Sequence, residues 1–574
     1  MKIKKLTLTN FRSFEKSQVI TFAPVTLLFG PNSVGKSTIL MAFAYIQQIL
    51  QKGHCDPLVL DALGDKNIGG FKSLVHGMDL SKSINIKIEF EPEYSISTEY
   101  EVFAELINRR DTSIERLEMP DVAGQSEKIA VEFEIAWSAL YGNAYVKNYK
   151  VWVNDIYIGK ISSEANKKQA FISELNLQHP LLLPDDYDTW LENAYDVKDI
   201  SEADLSDDDW LTEFEKILIE LSPSKNFLEN IQNIDVSESE LDEKDIELKE
   251  RKLRIAPISI ACFTGAIPFL NKMLETNLDG EEVDVSEAHY NRAIISRVLT
   301  QIFVSPLDKL NDLFSKSAYI GPLRTIPSVG YQPDPYPQQK DWMTGKAAWD
   351  VLHSVADGNN DLDKLLANVS SWFESEDRFN SGYSLVSRTP RNQFICSNAE
   401  ILDSLSEDKR ARLIASHDEK SEVFFHDLKN GIDLFPNQLG VGISQVLPVV
   451  VAAHHNNGGI VAVEQPELHT HPAFQVEIGD LFTQLNIPTS RRPMFLIETH
   501  SEHLMLRILK RIRQTTDKEL EEGAQEVKPE DISIVYLDDS SGDVVVSKID
   551  IDEDGEFKQR WPKGFFAERR EELM

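Results

Sequence analysis

Nine residues, Gly30 to Thr38 (GPNSVGKST), constrain this chain more than any other stretch. They fit G-x-x-x-x-G-K-[ST] and lie between an apolar run, VTLLFG, and a segment where Ile39, Leu40, Phe43, Ile46 and Ile49 recur at helical spacing. Strand, glycine turn and helix in that order make a phosphate-binding loop. Gly30 and Gly35 let the backbone wind so that N–H groups face a phosphate, with the helix N-terminus adding its dipole. Pro31, Asn32, Ser33 and Val34 form the body of the loop and Thr38 follows it into the helix. Lys36 is expected to span the β- and γ-phosphates of a nucleotide, and Ser37 to give its hydroxyl to magnesium.

Three later stretches supply what such a loop needs. IVAVEQPE (460–467) is an apolar strand ending in Glu464, which places that carboxylate at the sheet edge as the magnesium-side ligand. Gln465 follows, where most such sites carry a second carboxylate. An amide takes no proton at neutral pH, so Gln465 can orient water without acting as a base. Glu467 is then the nearest spare carboxylate and a candidate surrogate base. LGVGISQVLPVV (439–450) has Gly440 and Gly442 in a turn, with Ser444 and Gln445 expected to open a helix whose N-terminus binds phosphate. Since the chain has its own phosphate loop, this second cradle points to a partner subunit's nucleotide and a head-to-head homodimer. FLIETHSEHL (495–504) delivers His500 beyond a strand end, where it can sense the γ-phosphate or the attacking water. His469 and His471, two apart in HTHP, read as structural.

The remaining sequence sets limits. With 574 residues, two or three packed units are expected. The 59 basic against 94 acidic side chains give a formal charge of −35, so nucleic-acid contact would need a local basic patch. Lys2, Lys4 and Lys5, Arg491 with Arg492, and Lys510, Arg511 and Arg513 are the candidates. Cys55, Cys262 and Cys396 lack metal or disulfide spacing, as befits reduced thiols. The apolar run VLPVVVAA is too short for a membrane span, and the start lacks a signal-peptide core. A cytoplasmic protein without membrane contact is expected.

Strand-like alternation recurs at 84–91, 100–106, 128–137 and 149–159, a β-rich lobe. An acidic, helix-prone stretch follows from about 185 to 255, and helical periodicity from Ser286 to Phe314 is interrupted at Pro306. No heptads or repeats of 20–50 residues appear. The expected domains are 1–180, the first half of the head with its lobe; 181–316, a mainly helical acidic insertion; and 317–574, the second half.

The P-loop, Gly-x-Gly-x-Ser-Gln helix, strand with Glu464 and His500, in that order, resemble the ABC-type ATPase heads of the RecF/SMC/OLD group, as does the start LTLTNFRSF. The resemblance covers roughly 1–110, 318–345 and 420–570. It implies an α/β P-loop head, a mixed sheet with flanking helices plus a β-rich lobe, carrying a short helical insertion. It also implies ATP with Mg2+, and Arg12 near the nucleotide. A Gln loop is missing where FKSLVHG stands, and His76 is the possible substitute. FKSLVHGMD (71–79), YIGPLRTIP (319–327) and WPKGFFAERREEL (561–573) further resemble the ATPases of anti-phage Septu and retron modules, known as PtuA. That likeness implies an ATPase that regulates a partner HNH nuclease, with a reverse transcriptase and its RNA–DNA product in retron versions, while the amide at Gln465 in place of a base leads one to expect slow ATP hydrolysis. No nuclease site of its own is expected. The alternative is a RecF-like DNA-binding ATPase of repair or recombination.

Overall fold

The computed structural model describes residues 1–92, 122–177, 179–182, 218, 257–276, 295–353, 360–388, 395, 397–416, 422–456, 458–488, 491–539 and 542–561. The expected strand at 100–106, most of the acidic insertion, Cys396 and all of the tail beyond Trp561 lie outside these. Two compact units interleave along the chain: 1–19, 45–58 and 68–312 in the first, and 20–44, 59–67 and 313–574 in the second. The chain therefore leaves one unit and returns to it, where the sequence suggested three successive segments.

The first unit is built on an antiparallel sheet. Its strands are β1 (Lys2–Thr9), β2 (Gln18–Thr21), then, after β3 of the other unit (Val25–Phe29), β4 (Ile84–Glu91), β5 (Ile129–Ser138), β6 (Asn143–Val153), β7 (Ile156–Ser163), β8 (Ala170–Leu175) and β9 (Ile258–Ile260). Their order is β2-β1-β4-β5-β6-β7-β8-β9. β4 buries every second residue, Ile84, Ile86, Ile88 and Phe90, as a half-covered antiparallel strand must. On the polar face Glu132 and Lys150 sit directly opposite each other and pair at 2.7 Å. The stretch 149–159, expected as one strand, is the end of β6, a two-residue turn and the start of β7. Asn154 and Asp155 both take positive φ (51° and 67°), which is the turn geometry a tight hairpin demands.

The second unit carries a predominantly parallel sheet. After a small β10–β11 hairpin (Cys262–Thr264, Ile267–Pro268) in the first unit come β12 (Ala318–Ile320), β13 (Tyr383–Arg388), β14 (Glu422–Asp427), β15 (Ile432–Leu434), β16 (Ile460–Glu464), β17 (Met494–Glu498), β18 (Ile532–Asp538) and β19 (Val545–Ile549). The order is β12-β16-β17-β3-β18-β19, parallel except for β19, while β13, β14 and β15 form a separate antiparallel sheet. β3 and β17 are buried at every position, since helices cover both faces of a parallel sheet. The helices of this unit include α1 (Lys36–Lys52), which runs on into the first unit, α2 (Lys346–His353), α3 (Asn360–Glu374), α4 (Val441–His455), α5 (Pro472–Thr483) and α6 (Glu502–Asp517). Pro306 stands in the first turn of the helix Ser305–Ser315, where its missing N–H has no helical partner to lose. Among the described residues no helix is long and apolar enough to cross a membrane.

Helices α5 and α6 are pinned by one carboxylate. Asp480, fully buried, accepts Arg511 Nε and Nη2 at 2.9 and 2.6 Å, lies 3.2 Å from Arg507 Nε, and has Arg378 at 3.9 Å. Removing the acid leaves the buried Arg511 guanidinium without its counter-charge, while Arg507 keeps its pair with Glu477. Asp480→Ala is therefore expected to destabilise the protein by about 3–5 kcal/mol. Urea unfolding measures this, and a midpoint equal to that of the unchanged protein would show that water takes over the pairing.

Candidate functional site

The carboxyl ends of β3, β16 and β17 meet at one edge of the parallel sheet because their pairing is in register. Val463 pairs with Ile497, Glu464 with Glu498, and Glu498 with Leu28. The turn after β3 is the glycine loop. Gly30 has φ 144°, and a Cβ there would meet the Leu537 carbonyl oxygen of β18 at 2.5 Å, so only glycine fits. Gly35 (φ 110°) and Ser33 (φ 65°) complete the winding. Pro31, Asn32 and Ser33 are exposed, Val34 is buried, and Thr38 donates its N–H to Gly35 O at 3.0 Å.

Lys36 and Ser37 open α1 and turn toward the sheet edge. The Lys36 ammonium donates to Gly30 O (3.0 Å) and Pro31 O (2.9 Å) and lies 3.7 Å from Glu498 Oε1. Burial lowers its basicity, and Glu498 opposes that. The Ser37 hydroxyl donates to Glu498 Oε2 at 2.9 Å. Glu498 thus stands with Lys36 and Ser37, although the sequence reading took only His500 from this stretch. The missed signal is phase: Glu464 and Glu498 each close an apolar run, and in-register pairing makes them neighbours. Burial, then repulsion from Glu498, raises the Glu464 carboxyl to about 7, against the weaker pull of Lys66, Ser37 and Arg324. A hydroxyl and two carboxylates are hard oxygen donors of the kind magnesium takes, so Ser37, Glu464 and Glu498 fit the role of holding that ion.

The segment after β16 is held from several sides. Gln465 adopts φ 45°, a left-handed conformation uncommon for a side-chain-bearing residue, and its N–H donates to Glu498 O at 2.7 Å. Glu467 is held by the segment that follows β17. Its two oxygens accept the Thr499 hydroxyl (2.9 Å) and the His500 N–H (2.8 Å), so it fixes the backbone that carries His500. Burial raises the Glu467 carboxyl while these bonds lower it. His500 itself is made less basic by burial and by Lys36. His471 caps α5 by accepting from Ala473 N–H, a structural role as expected.

The glycine-turn helix departs from expectation. α4 begins at Val441, three residues earlier than the sequence suggested, which rotates Ser444 and Gln445 inward. Ser444 Oγ donates to Pro436 O at 2.8 Å and is fully buried. Gln445 clasps the Arg324 backbone, accepting its N–H at 3.1 Å and donating to its carbonyl at 2.6 Å. What α4 exposes at its N-terminus is Gly440 and Val441. Gly442 lies against the 465–470 turn, where a Cβ would approach His469 O to 2.8 Å. Arg12 and His76 belong to the first unit, where Arg12 N–H donates to Leu74 O (2.7 Å) and His76 Nδ1 donates to Arg12 O (2.7 Å).

The Glu464 shift has a consequence for stability. Its folded-state carboxyl stays protonated further up in pH than the ordinary 4.5, so folding stability is lost as pH rises from about 4.5 through about 7. With divalent ions chelated, Glu464→Gln is expected to raise stability at pH 8 by up to about 3 kcal/mol, and to change nothing below pH 4.5. Thermal midpoints across pH measure this, and a variant less stable at pH 8 would contradict it.

The family described as "AAA ATPase domain" matches residues 1–290. A second, "AAA domain, putative AbiEii toxin, Type IV TA system", matches 296–506, and a third, "Protein of unknown function (DUF3696)", matches 527–574. No curated protein matches. Solved structures with similarity include an SmcHead bound to the C-winged helix domain of ScpA, with TM-score 0.37 and 11% identity over 96% of this chain and 98% of that one. An SMC head domain from Thermotoga maritima gives TM-score 0.34 and 10% identity over 96% and 100%. An Smc head domain with an extended coiled coil, bound to the C-terminal domain of ScpA and derived from Pyrococcus furiosus, gives 0.32 and 14% over 96% of each. With half of its length matched by one family and the phosphate loop inside the match, the chain belongs to the AAA ATPase domain family.

Proposed function

We propose that this protein binds ATP with magnesium, dimerises around it, hydrolyses it slowly, and uses the cycle to regulate a separate effector nuclease of an anti-phage system. One observation carries the slow-turnover reading. Lys36, Ser37, Glu464 and Glu498 gather at a single sheet edge, while the position after Glu464 is an amide and both oxygens of Glu467 are engaged.

Magnesium, when bound, neutralises charge developing on the phosphates. The chain supplies the rest. The glycine loop and Lys36 hold the phosphates, Ser37 with Glu464 and Glu498 holds the ion, and Gln465 orients water toward the γ-phosphate. Phosphoryl transfer depends more on such positioning than on base strength, so activity persists without a carboxylate at 465. The loss of a positioned base is worth about 10²–10⁴-fold, which sets the expected slowness. The exposed Gly440–Val441 end of α4 supports the dimer, since a bare helix N-terminus suits the phosphate of a second subunit.

The effector role rests on the resemblance to Septu and retron ATPases, and the toxin–antitoxin description of the second matching family is in keeping with it. HNH nuclease and reverse transcriptase are the partners this reading implies. Direct DNA binding of the RecF kind is the alternative reading, and several of the basic residues that would serve it also make contacts within the chain. Arg511 is buried on Asp480, Arg513 donates to Asp554 O at 2.8 Å, and Lys4 and Lys5 pair with Glu91 and Glu89.

Light scattering should show a dimer with ATP and magnesium, and Lys36→Ala should abolish both nucleotide uptake and dimer. Turnover should stay far below about 10 per second, the middle of the ordinary enzyme range. Gln465→Glu should raise it. A monomer under those conditions, or fast turnover by the unchanged protein alone, would overturn the proposal. Pull-down of a small nuclease encoded beside this chain tests the effector role, and its failure to bind would remove that part.

A further inference from the structure

Arg324 lies four residues beyond β12, in YIGPLR, and no motif points to it. Its side chain is almost wholly buried (4% exposed), and the hydrogen bonds it donates run to backbone carbonyls. Nη1 donates to Gln445 O (3.2 Å), and Nη2 to Glu464 O (2.8 Å) and Gln465 O (3.3 Å). Nε has no hydrogen-bond partner among the described residues. Burial brings the guanidinium down to about 10, with Glu467 and Glu464 opposing the fall from a distance. A buried cation held by neutral acceptors is a costly way to tie loops together, and an apolar side chain would pack the same volume for less.

Its geometry explains the expense. The peptide group leading into Gln465 is held from both sides: Arg324 takes the Glu464 carbonyl and Glu498 O takes the Gln465 N–H. Arg324 also reaches the Gln465 carbonyl, so the left-handed backbone of Gln465 is bracketed on each flank. The same guanidinium grips the first turns of α4 through Gln445 O, and the Gln445 side chain grips the Arg324 backbone in return.

We infer that Arg324 is a positioning residue for hydrolysis, joining the N-terminal turns of α4 to Gln465 so that the amide is aimed at water only while α4 is in place. This rests on the proposed role of Gln465 and deepens it. Engagement of α4 by a second subunit's nucleotide would then bear on hydrolysis within this subunit through one side chain. Only a planar fork can reach the carbonyls of Gln445 and Glu464 together, and a lysine ammonium has no such reach.

The test is Arg324→Lys, which keeps the charge and loses the fork. Nucleotide affinity, read with a fluorescent ATP analogue, should stay within about two-fold, because the glycine loop is untouched. KM should likewise hold, while kcat falls about ten-fold or more. In the Arg324→Lys background, Gln465→Ala should cost little further, since the amide is already misdirected. An unchanged kcat, or losses that multiply independently, would overturn the inference. Should Arg324→Lys fail to fold, Gln445→Ala, which removes two of the bonds bracketing Arg324, must show the same fall in kcat with KM held, and a normal kcat there overturns it equally. If the unchanged protein hydrolyses no ATP, the proposed function and this inference fall together. If it hydrolyses ATP and these variants match it, only the inference falls.

Discussion

The in-register parallel pairing of β16, β17 and β3 is the constraint on which the site depends. Three strands of five residues each end within one rung of one another, so the loop after β3, the acid closing β16 and the acid closing β17 reach a common edge. A one-residue slip in any strand would turn its end residues to the opposite face and separate the carboxylates. The burial of β3 and β17 on both faces resists that slip, because every residue of theirs is already buried.

How much of this was legible depends on whether a feature is local. The glycine loop could be read directly, since spacing, preceding strand and following helix lie within thirty residues. The strand-end positions of Glu464 and His500 were legible for the same reason, each lying at or just beyond the end of an apolar run. Glu498 was not, because its importance comes from lying beside Glu464, a relation between strands that neither strand states alone. Arg324 was equally hidden: its partners are carbonyl oxygens, which every residue possesses. Ser444 and Gln445 misled because a hydroxyl beside a glycine turn suggests a helix start, and a three-residue shift of the true start carries both side chains inward. The hairpin at Asn154 and Asp155 was overlooked because alternation continues through its turn.

Buried charge is used in two different ways in the second unit. Asp480 with Arg511 and Arg507 is a compensated cluster, in which opposite charges meet directly and the result is mechanical union of two helices. Glu464 beside Glu498 is the reverse, two like charges in adjacent positions with the proton held on one of them well above its ordinary range. The first arrangement is satisfied within the fold. The second is relieved by a cation, which is the physical reason a carboxylate pair of this kind suits a metal-assisted step.

The contact between Gly30 and the Leu537 carbonyl bears on how the molecule is made. The strand that leads into the phosphate loop is made long before its neighbours, since it lies between β17 and β18, synthesised more than 460 residues later. During synthesis the loop has its sequence without the walls that shape it. Pairing over such separations is slow, and the early strand spends that interval with open edges. A nascent chain therefore offers chaperones a long-exposed apolar segment, and competence for nucleotide arrives late, when β18 closes the sheet.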